Sequence, residues 1–396
     1  MKLHLLVPIL SAVTAWMLLA ASRTVPAVHP GEPVSDKEDT KQSDTIRISE
    51  LTGKTQSDRP ITVARAFRQG EIRNFARATV GGVALLTQCD VKNRWPDGSL
   101  KYALVSFVLG KLSAKSTVEV SFSNQESGNN EGYAKAEQLL DPGFDFDATI
   151  EMTGASRQVV DAREMLQKGS FRYWLQGPVV TAVIVEDRTP TRSFDKDFGD
   201  GSKALHPIFE AWFYPASKKV FVGYAMENMW ASSDANKSMR DLSYAVTLRA
   251  GAAAPQVKFS QGSFTHLART RWHKQFWIGG DAAPVRIDHN FGYWTSTQVI
   301  PNWDTSIRVS KSLVASRVGT DSATDLIQGD GRGIGNYQKD LRQAGASDWI
   351  GLAPLWDILY LYSMDERARR ASLSNADLAG RIPWNYREAD ARAVSP

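Results

Sequence analysis

The residues best equipped for chemistry gather late in the chain. Three of the six histidines, His266, His273 and His289, fall within 24 residues. Around them stand Arg269, Arg271, Trp272 and Lys274, followed by Arg286, Asp288, Asn290, Tyr293 and Trp294. Imidazole and phenol groups move protons, guanidinium and carboxamide groups hold an anion, and indoles offer flat apolar faces. Each residue also has a plainer role. A lone histidine is more often a satisfied structural residue, Arg269 and Arg271 are more often ion pairs, and Tyr293 and Trp294 are more often core. His289 and Tyr293 are four apart and share a face if the segment is helical, although Gly292 weakens that helix.

Other signals are fainter. Glu210, Glu227, Asp288, Asp304 and Asp357 could supply a carboxylate pair for hydrolysis, but the separation such a pair needs is a property of the fold. The run 195–201 alternates oxygen-bearing residues before glycine, as a calcium loop does, yet its twelfth position is His206 rather than Glu, which excludes an EF-hand. No cofactor is expected, and calcium stands only as a weak alternative. The glycine-rich run 329–335 lacks the Lys-Ser/Thr of a phosphate loop and reads as a flexible loop between helices. Neither a His-Glu-x-x-His motif nor a Gly-x-Ser-x-Gly elbow occurs.

The elements that must position these residues are mostly strands. Runs 61–67, 80–89, 101–109 and 117–122 are short and β-branched or apolar, separated by turns, and predict an antiparallel β unit over 58–147. Trp95-Pro96-Asp97-Gly98-Ser99 reads as a hairpin turn, with Pro presetting one dihedral and Gly supplying a positive one. The same texture continues through 179–185, 208–214, 219–226 and 242–248, a second antiparallel unit over 148–275, with one helical candidate at 160–168. From 276 to 396 the periodicity turns helical. Leu352, Leu355, Trp356, Leu359 and Tyr360 fall at i, i+3, i+4, i+7 and i+8, one face of a helix. The lone Cys89 follows an apolar run and is expected to be buried.

The stretch Gln88-Cys89-Asp90-Val91-Lys92-Asn93-Arg94-Trp95-Pro96-Asp97-Gly98-Ser99-Leu100-Lys101 resembles the amino-terminal RIFT-barrel domain of the exo-rhamnogalacturonan lyase-like family of secreted polysaccharide enzymes. The resemblance extends over about sixty residues and takes in Ile61-Thr62-Val63-Ala64 and Gly81-Gly82. It implies a RIFT-like barrel followed by further β structure, with the last helices resembling the opening of an (α/α) toroid. Because those helices stop early, the chain is expected to be a fragment or a shortened relative. The resemblance also implies a carbohydrate substrate. For a lyase acting by β-elimination on a uronate, His289 or His273 would serve as base and Tyr293 as acid. Arg271 or Asn290 would neutralise the carboxylate, and Trp272 and Trp294, with Arg286, would bind sugar. A glycoside hydrolase and a non-catalytic glycan-binding protein are the alternatives.

Composition sets the outer bounds. The chain has 396 residues, enough for two or three domains, and a net charge of only +4, its 47 basic residues scattered rather than striped. Nucleic acid is therefore not an expected partner. Lys2 precedes an uncharged apolar run over 3–21, then small residues, the order of an export signal. Residues 1–27 are read as a signal peptide or a retained anchor, the only membrane contact foreseen, and the body as secreted or periplasmic. Residues 28–57, polar and poor in large apolar side chains, are expected to form a disordered spacer.

Overall fold

The computed structural model describes residues 44–198, 203–231, 240–318, 353–383 and 387–388. The protein is mainly β, built from several antiparallel sheets with few helices. The expected export signal, the first part of the spacer and the glycine-rich run 329–335 lie outside the described residues.

The amino-terminal unit faces two sheets across one core. Strands β1 (Thr45–Glu50), β2 (Gln56–Ala66), β3 (Phe75–Val80), β4 (Val83–Ala84), β5 (Thr87–Arg94), β6 (Leu100–Leu112) and β7 (Thr117–Gln125) supply most of it. β2, β6 and β5 form one sheet in that order. The other runs β18-β1-β7-β3-β4, where β18 (Val285–Asp288) arrives from far along the chain. Alternation drives this arrangement: Ile46 and Ile48, Ile61 and Val63, and Val105 and Phe107 point to one interior with Cys89. Two expectations are corrected here. Residues from Asp44 onward are not spacer, because Ile46 and Ile48 fill the core and Asp44 pairs with the buried Arg65. The segment after residue 275 is not purely helical, since β18 returns to pair antiparallel with β1.

The central unit is a sandwich. One sheet runs β16-β15-β8-β9, from β8 (Ala148–Thr153), β9 (Arg157–Asp161), β15 (Leu242–Ala250) and β16 (Gln256–His266). The other runs β10-β11-β12-β13-β17, from β10 (Phe171–Leu175), β11 (Thr181–Val185), β12 (Leu205–Tyr214), β13 (Lys219–Asn228) and β17 (Thr270–Ile278). Between them lie Ile150, Phe209, Phe213, Val222, Tyr224, Tyr244 and Phe276, with Leu139 of α1 (Ala136–Leu139) and Met165 and Leu166 of α2 (Ala162–Gln167). A short β14 (Trp230–Ala231) pairs in parallel with β19 (Arg387–Glu388).

Helix α3 (Phe291–Ser296) follows β18 directly. Helices α4 (Lys311–Val318), α5 (Leu355–Ser363) and α6 (Glu366–Leu378) share a small core of Val314, Val318, Trp356, Leu359, Ala368 and Ala371. The apolar stripe predicted on α5 is therefore present where it is described. Among the described residues these helices form no closed ring.

The motif 88–101 explains how the two β units dock. Gln88, Asp90 and Lys92 alternate along β5 and face outward. The Gln88 carboxamide accepts from the backbone N–H of Val179 and Val180 and donates to the Val180 carbonyl at 3.0 Å and to Asp90 at 2.7 Å. Asp90 accepts from the Gln176 N–H, and Lys92 donates to the Trp174 carbonyl. Gly177 lies so close to Gln88 that a Cβ would come within 2.3 Å of it, which fixes glycine at this point of the joint. The second half of the motif builds the expected hairpin: Asp97 accepts from the N–H and hydroxyl of Ser99, Gly98 has φ +85°, and the Trp95 indole donates to the Phe67 carbonyl.

Candidate active site

The five-stranded sheet of the sandwich has two faces of opposite character. Period-two alternation turns Phe209, Val222, Trp272 and Phe276 into the core and sends the residues between them to the outer face. Cross-strand register then sorts that outer face into rows. Ala182, Trp212, Phe221 and Trp277 make an aromatic row; Ile184, Glu210, Gly223 and Gln275 make the next; Ile208, Ala225 and His273 follow; and His206, Glu227 and Arg271 close the series. Neighbouring strands lie about 4.8 Å apart and successive rows about 6.7 Å apart. The amino-terminal unit packs Leu104 against the aromatic end, beside Trp174, Trp212 and Tyr214. The opposite end is covered by α6 and the turn after it, where Gly380 sits against the Arg271 backbone. Glu210, Gln275, Phe221 and Trp277 are half-buried between these covers.

His273 occupies the gap that small residues leave on β13. Its Nδ1 donates to Asp377 Oδ1 of α6 at 2.9 Å. Its Nε2 is buried and has no hydrogen-bond partner among the described residues. A Cβ on Gly223 would lie 2.6 Å from that nitrogen and 3.4 Å from the Glu210 Cβ, so the imidazole edge and the root of the Glu210 side chain border one backbone position. A carboxylate on Nδ1 fixes the tautomer in which Nε2 is the acceptor, the geometry of an oriented general base.

His206, at the end of the charged row, belongs to a buried salt-bridge cluster. His206 Nδ1 donates to Asp195 at 2.6 Å, and its Nε2 stands 3.7 Å from Glu186. Burial works against charge on this imidazole, but the hydrogen bond to Asp195 and the nearby Glu186 carboxylate outweigh it and hold its pKa at about 9. Burial likewise opposes the charge on Glu186, and His206 with Arg188 and Arg172 brings it down to about 2. Asp195, the first position of the run weighed against a calcium loop, instead pairs with His206 and with Arg192, 3.0 Å away.

The structure splits the predicted constellation. His273, Trp272 and Arg271 lie on β17, Arg286 lies on β18, and His289, Asn290, Tyr293 and Trp294 follow beside the amino-terminal unit. Trp272 points into the sandwich core, where its indole donates to the Tyr244 hydroxyl at 2.8 Å, and so offers no face to a sugar. His266 is buried between the Tyr244 hydroxyl and the Thr270 carbonyl. Asn290 takes a left-handed φ of 59° and caps α3, which places His289 before the helix rather than four residues below Tyr293 on it. Tyr293 is fully buried; its hydroxyl donates to Glu71 at 2.6 Å and its ring lies between the guanidinium groups of Arg65 and Arg68. His289 stacks on Trp294 at 5.0 Å between ring centroids, and burial, then Arg65, pushes its pKa down to about 4. Arg286 is exposed. Asp377 escaped the sequence reading as the partner of His273, and Glu210 and Gln275 as its neighbours on the same sheet face. The alternation of 206–212, 221–227 and 271–277 carried the signal for Glu210 and Gln275, while Asp377 has no local one.

Comparison with protein families and with curated proteins returns no match. Two solved structures from Enterococcus faecalis are distantly similar. A glycosyl hydrolase family 38 protein has a TM-score of 0.31 and 8% identity over 66% of this chain and 46% of its own. An alpha-mannosidase has a TM-score of 0.29 and 7% identity over 65% of this chain and 45% of its own. The chain thus spans less than half the length of either structure. At these scores the likeness carries no argument about the reaction, which has to come from the site itself.

Proposed function

We propose that this is a carbohydrate-active protein that engages a glycan on the outer face of its five-stranded sheet and cleaves it by acid–base chemistry. His273 is the base, Asp377 orients it, and Glu210, which arises from the neighbouring row of the same face, is the carboxyl that handles the second proton. The observation that carries this reading is His273 itself, whose Nδ1 is held by Asp377 while its buried Nε2 faces Gly223, the backbone position that the root of the Glu210 side chain also borders. An imidazole that activates water and a carboxyl that protonates the leaving oxygen suit hydrolysis of a glycosidic bond. β-Elimination would use the same base, with Arg271, two residues along the same face, as the cation for a uronate. The position of Tyr293 favours hydrolysis, because the hydroxyl of a fully buried residue, already donating to Glu71, is poorly placed to protonate a leaving group. Export to the periplasm or beyond, a RIFT-like amino-terminal barrel and a toroid-like helical part belong to the same reading.

The test is incubation of the folded chain with neutral and uronate polysaccharides, following new reducing ends and near-ultraviolet absorbance together. Reducing ends without absorbance identify a hydrolase, and both together identify a lyase. Binding without turnover leaves a glycan-binding protein, and neither binding nor turnover across the panel refutes the proposal.

A further inference from the structure

We infer that Phe221 and Trp277 form a sugar-stacking subsite, and that the substrate is an oligo- or polysaccharide rather than a single glycoside; this rests on the site proposed above. The two rings belong to the same cross-strand row and sit 4.9 Å apart at 46°. Tyr214 backs the indole at 5.7 Å. Trp212, in that row too, is turned to the interface with Leu104, but Trp277 lies on β17, the last strand of the sheet among the described residues. One row away, about 6.7 Å along the backbone, Glu210 and Gln275 carry a carboxyl and a carboxamide. A pyranose ring has the matching character: an apolar C–H face that packs on an aromatic ring and a rim of hydroxyls that bonds carboxylate and amide groups. Four residues of β17 separate Trp277 from His273, about 13 Å of extended strand. A sugar stacked at Trp277 while the reacting bond lies at His273 therefore belongs to a chain of several units. The ledge would hold a residue remote from the bond that breaks.

The experiment is calorimetric titration of the full chain with cellohexaose, xylohexaose, mannohexaose and hexagalacturonate, using wild type, Trp277→Ala and Trp277→Phe. For a hexasaccharide that binds, Trp277→Ala is expected to weaken affinity at least tenfold, and Trp277→Phe, which keeps a ring, by less than threefold. Oxidative footprinting of the wild type, read by mass spectrometry, needs no variant to fold: the bound hexasaccharide should protect Trp277. Wild-type binding that leaves Trp277 oxidised at its free rate, or that survives Trp277→Ala unchanged, overturns the ledge while the site reading stands. Failure of the wild type to bind any glycan, polysaccharides included, overturns both.

Discussion

His273 and His289 carry the same ring, and their surroundings give them different chemistry. His273 has an acidic partner on one nitrogen and, on the other, a buried acceptor with no partner among the described residues, near the root of a carboxyl-bearing side chain. His289 is stacked on Trp294 with its basicity lowered to about pKa 4, so it stays neutral and binds a proton weakly near pH 7. Tyr293 shows the same dependence on surroundings. Its hydroxyl serves Glu71 and its ring spaces Arg65 from Arg68, which makes it an anchor for the returning segment. Tyr293→Phe should therefore cost about 1–2 kcal/mol by removing the hydrogen bond of a buried hydroxyl to the Glu71 carboxylate. The expected result is a lower urea midpoint with glycan turnover within about twofold of wild type, whereas a Tyr293 that acts as the acid would lose at least ~100-fold. Residue types and spacing made this cluster visible in the sequence. They did not reveal that Asn290 turns the backbone left-handed between His289 and Tyr293, and the two side chains part at that point.

At the scale of elements, alternation was the most legible signal. The strands around 61–67, 101–109, 208–214 and 219–226 lie close to where their β-branched and aromatic runs predict them. The hairpin at 95–99 follows from its Pro-Asp-Gly chemistry, and Trp356 and Leu359 of α5 are buried as their spacing requires. Long-range pairing was not legible. Strand β18 is four residues long and joins a partner more than two hundred residues earlier, and no local pattern encodes that choice. The motif at 88–92 was visible as a motif, but its role as a clamp between the β units depends on the backbone of residues 174–180. Gln88→Leu would strip the Val179 and Val180 N–H groups of their acceptor and Asp90 of a donor, all in a buried joint. A loss of about 2–4 kcal/mol is expected in denaturant unfolding, with the two β units beginning to unfold separately. A cooperative transition at the wild-type midpoint would contradict the clamp.

For the molecule as a whole, one charged cluster ties the end of the sheet face together, and its pH dependence has a definite sign. The folded-state pKa of His206, about 9, lies above the 6.5 of a free imidazole. Its contribution is complete below pH 6.5 and is lost as pH rises through 9. Glu186, at about 2 against 4.5, contributes above pH 4.5 and loses that contribution as pH falls toward 2. Thermal unfolding followed from pH 6 to 10 should show a falling midpoint that is flattened in His206→Gln; an unchanged slope in the variant would remove His206 from the account. The sandwich, the amino-terminal unit and the helices converge on the outer face of the central sheet, and the central claim is that chemistry occurs there. Its most direct test compares His273→Ala with His289→Ala on a glycan that the wild type cleaves. His273→Ala is predicted to lose about 100-fold or more in turnover, and His289→Ala to stay within a few-fold of wild type. The opposite result, with His273→Ala active and His289→Ala dead, would move the site to the segment beside the amino-terminal unit and contradict the account.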